Sequence, residues 1–145
     1  MMTELSSETI HASCVAIGDV AVLIEGKSGA GKSDLALRLI DRGARLVSDD
    51  YTILVRRRGT LFAHPPANLA GKMEVRGIGI VEMDHVEDVP VSLIVAIEEE
   101  PPRMPPDERK RRFAGVELRE IALPSLEPSS AIKVELALKQ RLDPR

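Results

Sequence analysis

The sequence predicts an α/β fold in which a P-loop core is built on a mixed β-sheet with flanking helices. Residues 11–24 (HASCVAIGDVAVLI) contain two apolar runs separated by Gly18-Asp19, the pattern of a β-hairpin. A glycine-rich stretch, GKSGAGKS at 26–33, follows the second run, and residues with helical spacing follow that stretch. Residues 91–97 (VSLIVAI) are the most continuous strand signal in the chain. A strand, a glycine loop and a helix in this order are typical of a phosphate-binding protein.

The remaining elements follow from local patterns. The first helix spans 32–42, and Gly43 is its predicted C′ residue; its inward-facing residues are Leu35, Ala36, Leu39 and Ile40. Short strands are predicted at 45–48 and 52–55, and the second forms a hairpin through Gly59 with 61–63. A closing helix spans 130–142, and its apolar residues are Ile132, Leu136, Ala137 and Leu142.

The length of 145 residues (15.8 kDa) predicts one domain over 1–145. We predict a disordered tail over 1–7. Residues 98–112 (EEEPPRMPPDERKRR) contain four prolines and many charges and almost nothing to bury. We therefore predict a flexible loop there.

Composition excludes several classes of protein. A single cysteine, Cys14, cannot form an intramolecular disulfide and fits a reducing compartment, where we expect it to be a small buried hydrophobe. No apolar run approaches the ~20 residues that cross a bilayer, and the N-terminus lacks a signal-peptide pattern. A formal net charge of −3 and only three aromatic residues disfavour nucleic-acid binding. These features predict a cytoplasmic protein without a nucleic-acid or membrane partner.

The glycine-rich stretch fills every fixed position of the pattern G-x-x-x-x-G-K-[ST]. Glycines let such a loop turn its main-chain N–H groups inward, and the following helix presents its positive end. Lys32 is placed to reach the terminal phosphates, and the Ser33 hydroxyl to bind Mg²⁺. The motif predicts a nucleotide site made of Gly26, Lys27, Ser28, Gly29, Ala30, Gly31, Lys32 and Ser33.

A P-loop transferase or hydrolase also needs a carboxylate at a neighbouring strand end and a group that orients the nucleophile. Asp49 and Asp50 end a predicted strand, and adjacent side chains there point to opposite sides. We expect one carboxylate to face the metal and the other to face an incoming hydroxyl. Glu74 and Arg76 are two residues apart on another predicted strand and should share a face. That pair predicts a second metal-facing carboxylate and a cation for transition-state charge.

These segments together resemble the catalytic domain of HPr kinase/phosphorylase. The resemblance lies in His11, GKSGAGKS, LVSDD at 46–50, MEVRGIGIVEM at 73–83 and SLIVAIE at 92–98, and covers about residues 8–138. The stretch EVRGIGI is similar to the family signature E-[VI]-R-G-[LI]-G-I. The resemblance implies a P-loop fold related to phosphoenolpyruvate carboxykinase, commonly assembled as a hexamer, here in a short form without the N-terminal domain.

The resemblance also implies that ATP, bound with Mg²⁺, phosphorylates a serine of the small phosphocarrier protein HPr. Lys32 would contact the phosphates, and Ser33 and Glu74 would bind Mg²⁺. Asp50 would take the proton from the substrate serine, and Asp49 would support that charge network.

Three further positions correspond to functional residues of the family. His11 matches its active-site histidine, and Arg76 lies within its signature. The arginine on the flap after the long strand aligns near Arg109.

One segment departs from the family pattern. Where a glycine and basic residues are expected before the last helix, this chain has LEPSSAIK at 126–133. Without the expected cluster of positive charge there, phosphoserine loses an attractive contact, which predicts a weak or absent reverse reaction.

Two alternatives to the kinase interpretation stay open at this point. In the first, the chain is a switch that binds ATP and regulates a partner without phosphotransfer. In the second, it is a kinase for a small metabolite.

Overall fold

The computed structural model describes residues 6–104, 108–124 and 127–141 of the protein. Its elements follow in the order β1 (Ser7–Ile10), β2 (Ser13–Ile17), β3 (Val20–Glu25), α1 (Lys32–Asp41), β4 (Arg45–Ser48), β5 (Thr52–Arg57), β6 (Thr60–His64), a 3₁₀ turn (Ala67–Leu69), β7 (Lys72–Val75), β8 (Gly79–Glu82), β9 (Val89–Ile97), β10 (Arg109–Phe113), β11 (Val116–Leu123) and α2 (Ser130–Arg141).

The predicted mixed sheet with flanking helices is confirmed. Hydrogen-bonded strands run in the order β1-β5-β6-β9-β3-β2-β4. β3 and β11 are both parallel to β9, whereas the other pairings in this sheet are antiparallel. β9 pairs with β6 only at residues 89–90 and with β11 at residues 93–97. The sheet therefore splits into two branches at β9, one that continues through β6 and one that continues through β11. β7 and β8 form a separate hairpin.

Both faces of the central strands are buried. On β3, Leu23 packs into one core with residues of β1, β5, β6 and β10, while Val22 and Ile24 pack into a second core beneath the helices. Because successive side chains alternate across a strand, a strand covered on both sides must be apolar throughout. This explains the unbroken apolar runs of β2 and β3. Cys14 lies in the first core, fully buried as predicted, and burial raises the pKa of its thiol.

The two helices cover the second core. On α1 the predicted inward-facing residues Leu35, Ala36 and Leu39 are buried, and the chain leaves the helix through Gly43 with a φ of 112°. Helix α2 forms where predicted; of its apolar residues Ala137 is buried together with Ala131 and Val134, whereas Ile132 and Leu136 are exposed. The small residues allow α2 to pack closely against the sheet. Leu142 lies outside the described residues.

Two predicted irregular segments contain strand. Ser7 begins β1, which pairs with β5, so the predicted tail 1–7 is too long; residues 1–5 lie outside the described part of the chain. The predicted flexible loop 98–112 ends earlier, because Arg109–Phe113 form β10; residues 105–107 are not among those described. Two arginines of β10 lie opposite carboxylates across the hairpin, Arg109 opposite Glu120 and Arg112 opposite Glu117, whereas Lys110 lies opposite Arg119. Opposite charges on paired strands stabilise a strand that composition alone disfavours.

Candidate functional site

The glycine loop lies between β3 and α1, as the motif predicts. A Cβ atom on Gly26 would meet the Cβ atoms of Ile97 and Ala30 at 3.1 and 3.2 Å, so the loop has room only for glycine there. Gly29 and Gly31 have φ values of 82° and 102°, which L side chains rarely adopt. Gly31 precedes α1 without a side-chain cap, so the first turn of the helix keeps its N–H groups for a ligand.

Lys32 lies against the inside of this loop. Its side chain is almost fully buried, and its Nζ donates to the carbonyl oxygens of Gly26 at 3.2 Å and Lys27 at 3.5 Å. The loop therefore holds a positive charge at its centre, surrounded by main-chain groups. Such an arrangement suits a phosphate group.

Asp49 joins the glycine loop to two other parts of the fold. Its Oδ1 accepts hydrogen bonds from the hydroxyls of Ser33 at 2.7 Å and Ser13 at 3.0 Å, and its Oδ2 accepts the main-chain N–H of Glu74 at 3.1 Å. The residue is only 6% exposed. Three donors to one buried carboxylate offset the cost of burying its charge. The prediction that Asp49 and Asp50 diverge is confirmed, because the neighbouring carboxylate makes none of these contacts.

Asp50 points instead to the surface beside His11. Its Oδ1 lies 2.9 Å from His11 Nε2, and both side chains are about half exposed. The His11 ring also stacks on Tyr51, with centroids 4.9 Å apart. Asp50 has a φ of 73°, a left-handed conformation that is uncommon outside glycine. The site thus presents a carboxylate to solvent one residue from a buried carboxylate.

The hairpin of β7 and β8 brings the main chain of Glu74 to Asp49, but Arg76 does not lie on the strand. Glu74 is on β7, and its main chain contacts Asp49. The strand ends at Val75, and Arg76 lies in the turn closed by the hydrogen bond from Ile78 N–H to the Val75 carbonyl. The prediction that Glu74 and Arg76 share a strand face is therefore wrong. Glycines 77 and 79, both at positive φ, turn the chain one residue after Arg76.

Arg109 does not lie on the loop after β9. It is on β10, where it forms ion pairs with Glu98 at 2.8 Å and with Glu120 at 3.1 Å. The hydrogen bond with Glu98 raises the pKa of Arg109 above its usual range. Arg111 also pairs with Glu120, at 3.0 Å, and with Glu25 at 2.7 Å. The predicted flap position of Arg109 is wrong, and its charge is matched by two carboxylates.

Two oxygen-bearing side chains, Ser33 and Asp49, meet beside the glycine loop where a metal is predicted. Among the described residues, no group of three or more His, Cys, Asp or Glu side chains is close enough to hold a metal. The Ser33 hydroxyl and the Asp49 carboxylate are nevertheless in contact. Hydroxyl and carboxylate oxygens are the ligands Mg²⁺ uses when it keeps most of its water and binds substrate phosphates. The donor set therefore fits Mg²⁺ bound together with a nucleotide.

Ser13 is the residue of this site that the sequence analysis missed. It opens β2 two residues after His11, and it is a fully buried polar residue at the start of an apolar run. A buried hydroxyl requires a hydrogen-bonding partner, so a serine at the start of an apolar run was the sequence pattern that could have indicated this contact.

Fold and site together define an α/β domain with a glycine loop, a central lysine and a carboxylate pair. Comparison with known proteins makes this assignment specific. The family described as HPr Serine kinase C-terminal domain matches residues 3–140. The chain belongs to that family.

Individual relatives support the same family assignment. The HPr kinase/phosphorylase of Lactiplantibacillus plantarum is 36% identical over 130 residues, which cover 81% of this chain and 41% of the relative. That of Clostridium tetani is 35% identical over 134 residues, covering 83% and 44%. The chain thus spans less than half the length of these two relatives. A solved structure titled HPr(Ser) kinase/phosphatase from Coxiella burnetii matches with a TM-score of 0.81 and 28% identity, and covers 93% of this chain and 96% of that one.

None of the helices in the described residues is long and apolar enough to span a membrane.

Proposed function

We propose that this chain transfers the terminal phosphoryl group of ATP to a serine hydroxyl of an HPr-like phosphocarrier protein. Membership of the family and the names of its relatives support the reaction class. The single observation that carries the proposal is the position of the carboxylate pair. Asp49 contacts the hydroxyl of Ser33 in the glycine loop, while the next residue, Asp50, is open to solvent. A phosphate site and a candidate base are therefore adjacent.

The glycine loop holds the nucleotide in this proposal. Its main-chain N–H groups and the Lys32 ammonium bind phosphate oxygens, which requires Lys32 to turn from the carbonyls of Gly26 and Lys27. Ser33, Asp49 and Glu74 provide oxygen atoms for Mg²⁺ and its water ligands. When bound, Mg²⁺ offsets the negative charge of the phosphates.

Asp50 acts as the base. It accepts the proton of the substrate serine as that oxygen attacks the γ-phosphorus, and the bond from the γ-phosphorus to the bridging oxygen breaks to leave ADP. With Asp50 ionised, the Nε2–H of His11 donates to its carboxylate and fixes its direction. Arg76, in the turn that follows β7, is two residues from Glu74 and would provide positive charge for the transition state.

Arg103 replaces Arg109 as our candidate for the flap arginine. It lies on the loop after β9, it is exposed, and it forms no ion pair with the described residues. A guanidinium that is not already paired can bind phosphate oxygens as the acceptor approaches. Arg109 would first have to leave Glu98 and Glu120.

Direct transfer tests the proposal. The full chain is incubated with γ-labelled ATP, Mg²⁺ and purified HPr, and label is followed on intact HPr and on its serine-containing peptide. Label on a serine supports the proposal, provided that it disappears with Asp50→Asn. ATP binding without transfer to HPr contradicts it and favours the alternative of a nucleotide-dependent switch.

The reverse reaction is proposed to be weak. The described part of the loop before α2 carries Glu127, whose carboxylate contacts Lys133 at 3.1 Å, so the charge of this lysine is already matched. Phosphorylated HPr and inorganic phosphate provide the test, and release of pyrophosphate at a rate close to that of the forward reaction would contradict this part of the proposal.

We also propose a cytoplasmic hexamer without a nucleic-acid or membrane partner. The resemblance supports the hexamer, and the acidic net charge and the single buried cysteine support the rest. Light scattering after gel filtration measures the mass, and a monomer at micromolar concentration would contradict the assembly.

A further inference from the structure

Ser13 connects the two aspartates of the site through one hydroxyl. Its Oγ donates to Asp49 Oδ1 at 3.0 Å and accepts the main-chain N–H of Asp50 at 3.1 Å. A hydroxyl has one proton to donate, and here Asp49 receives it. The residue is fully buried, so water does not compete for either partner.

The place of Ser13 in the sheet explains why a side chain makes these bonds. The ladder between β2 and β4 ends at the pair Cys14 and Ser48. The next pair would be Ser13 and Asp49, but the chain leaves the sheet there and turns. The Ser13 side chain continues the connection beyond the last ladder pair, and binds the turn that carries both carboxylates.

The turn at Asp50 requires stabilising hydrogen bonds. Asp50 has a φ of 73°, a left-handed conformation that is unfavourable for a residue with a Cβ atom. Two bonds within the turn support it: Tyr51 N–H to the Asp49 carbonyl at 2.8 Å, and Ser48 Oγ to the Tyr51 carbonyl at 2.5 Å. Neither of them contacts the N–H of Asp50 or the carboxylate of Asp49. Ser13 contacts both.

Another residue, Thr52, already links the two chain segments that Ser13 connects. The Thr52 hydroxyl donates to the Ala12 carbonyl at 2.8 Å and ties the residue after the turn to the residue before Ser13. The two segments are therefore joined without Ser13. The additional contribution of Ser13 is to orient the carboxylate of Asp49 and the main chain of Asp50.

We propose that Ser13 is a positioning residue, which orients the buried carboxylate of Asp49 towards Ser33 and fixes the left-handed turn that presents Asp50 to the acceptor. This inference rests on the proposed phosphotransfer for its catalytic consequence. Without the hydroxyl, Asp49 keeps only two of its donors and the N–H of Asp50 loses its acceptor. The carboxylate of Asp50 then keeps its contact with His11, but the main chain that carries it is less constrained.

The kinetic test compares Ser13→Ala with Ser13→Thr, which keeps the hydroxyl. For Ser13→Ala we expect kcat for transfer to fall about tenfold, the effect of one buried hydrogen bond, while the KM for ATP stays within about twofold. Ser13→Thr should restore most of the rate.

Ser130→Ala is the matched control, because Ser130 is also a fully buried serine but bonds to the Pro124 carbonyl beside α2. Its kcat should match the wild type even if its melting temperature falls.

A second measurement does not depend on phosphotransfer. Amide hydrogen exchange followed by NMR, on the full chain without nucleotide, should show the Asp50 N–H exchanging about tenfold faster in Ser13→Ala, while core amides of β3 are unchanged. If Ser13→Ala does not fold, Ser13→Cys keeps the volume with a weaker hydrogen-bonding group, and the same local change is expected.

The outcomes separate the two proposals. A wild-type chain that transfers no phosphate to HPr overturns the proposed function, yet the exchange of the Asp50 amide still tests whether Ser13 fixes the turn. Unchanged exchange at Asp50, or a wild-type kcat in Ser13→Ala when Asp50→Asn is inactive, overturns the positioning role. A uniform rise in exchange across β3 would also overturn it, because that result indicates general destabilisation.

Discussion

The Oδ1 atom of Asp49 lies 2.7 Å from the hydroxyl of Ser33, although 16 residues separate them in the sequence. This contact joins the start of α1 to the end of β4, so the glycine loop and the carboxylate pair form one site. Because Asp49 is buried and Asp50 is exposed, the two neighbouring acids face different environments. That difference is the basis for assigning them different roles.

Replacing Asp50 with asparagine should abolish most phosphotransfer. An amide cannot take the serine proton, so kcat should fall by about 10²- to 10⁴-fold while ATP binds normally. Initial rates of HPr labelling and ATP titration by calorimetry measure the two effects. Asp19→Asn, in the exposed turn between β2 and β3, is the control and should retain the wild-type rate. A similar loss in both variants would argue against Asp50 as the base.

Replacing Lys32 with alanine should weaken ATP binding. The ammonium lies inside the loop, and losing a charge-assisted contact to phosphate corresponds to roughly a tenfold to hundredfold rise in the Kd. Calorimetry with ATP and Mg²⁺ measures the change. Lys139→Ala removes an exposed charge on α2 and should leave the affinity unchanged. Equal affinity in Lys32→Ala would mean that the nucleotide binds elsewhere.

Replacing Gly26 with alanine should distort the loop. The added Cβ would lie 3.1 Å from that of Ile97, and relieving the overlap moves the main chain that holds the phosphates. We expect a loss of about 1–3 kcal/mol in the free energy of unfolding together with weaker ATP binding. Gly59→Ala is the contrast: Gly59 has a φ of 77° and open space around it, so strain should lower stability without changing ATP affinity. Urea unfolding and calorimetry separate the two cases.

The two arginines near the flap should respond differently to truncation. Arg103→Ala should lower kcat by about tenfold to a hundredfold with little change in stability, because it removes a guanidinium that forms no ion pair with the described residues and is proposed to bind the acceptor. Arg109→Ala should instead lower the free energy of unfolding by about 1–2 kcal/mol, since the largely buried carboxylate of Glu120 loses one partner. Labelling rates and urea unfolding give both values for each variant. The reverse pattern would return the catalytic role to Arg109.

Local patterns were sufficient for most of the fold. The hairpin of β2 and β3, the helix after the glycine loop and its end at Gly43 depend on residues close in sequence, and all appear as predicted. Prediction from the sequence failed where contacts with residues distant in the chain decide the local structure. Taken alone, the arginines of β10 predict a loop, but they form a strand because Glu120 and Glu117 lie opposite them.

The sequence by itself determined the strand, glycine loop and helix of the proposed phosphate site, because turn geometry and helix start are properties of consecutive residues. Only the tertiary structure decided which carboxylate is buried, that Arg76 lies beyond the end of its strand, and that Ser13 binds both aspartates. The contacts of Asp49 with Ser13 and Glu74 span 36 and 25 residues. Such contacts are set by strand register and by where each ladder stops, which no short stretch of sequence specifies.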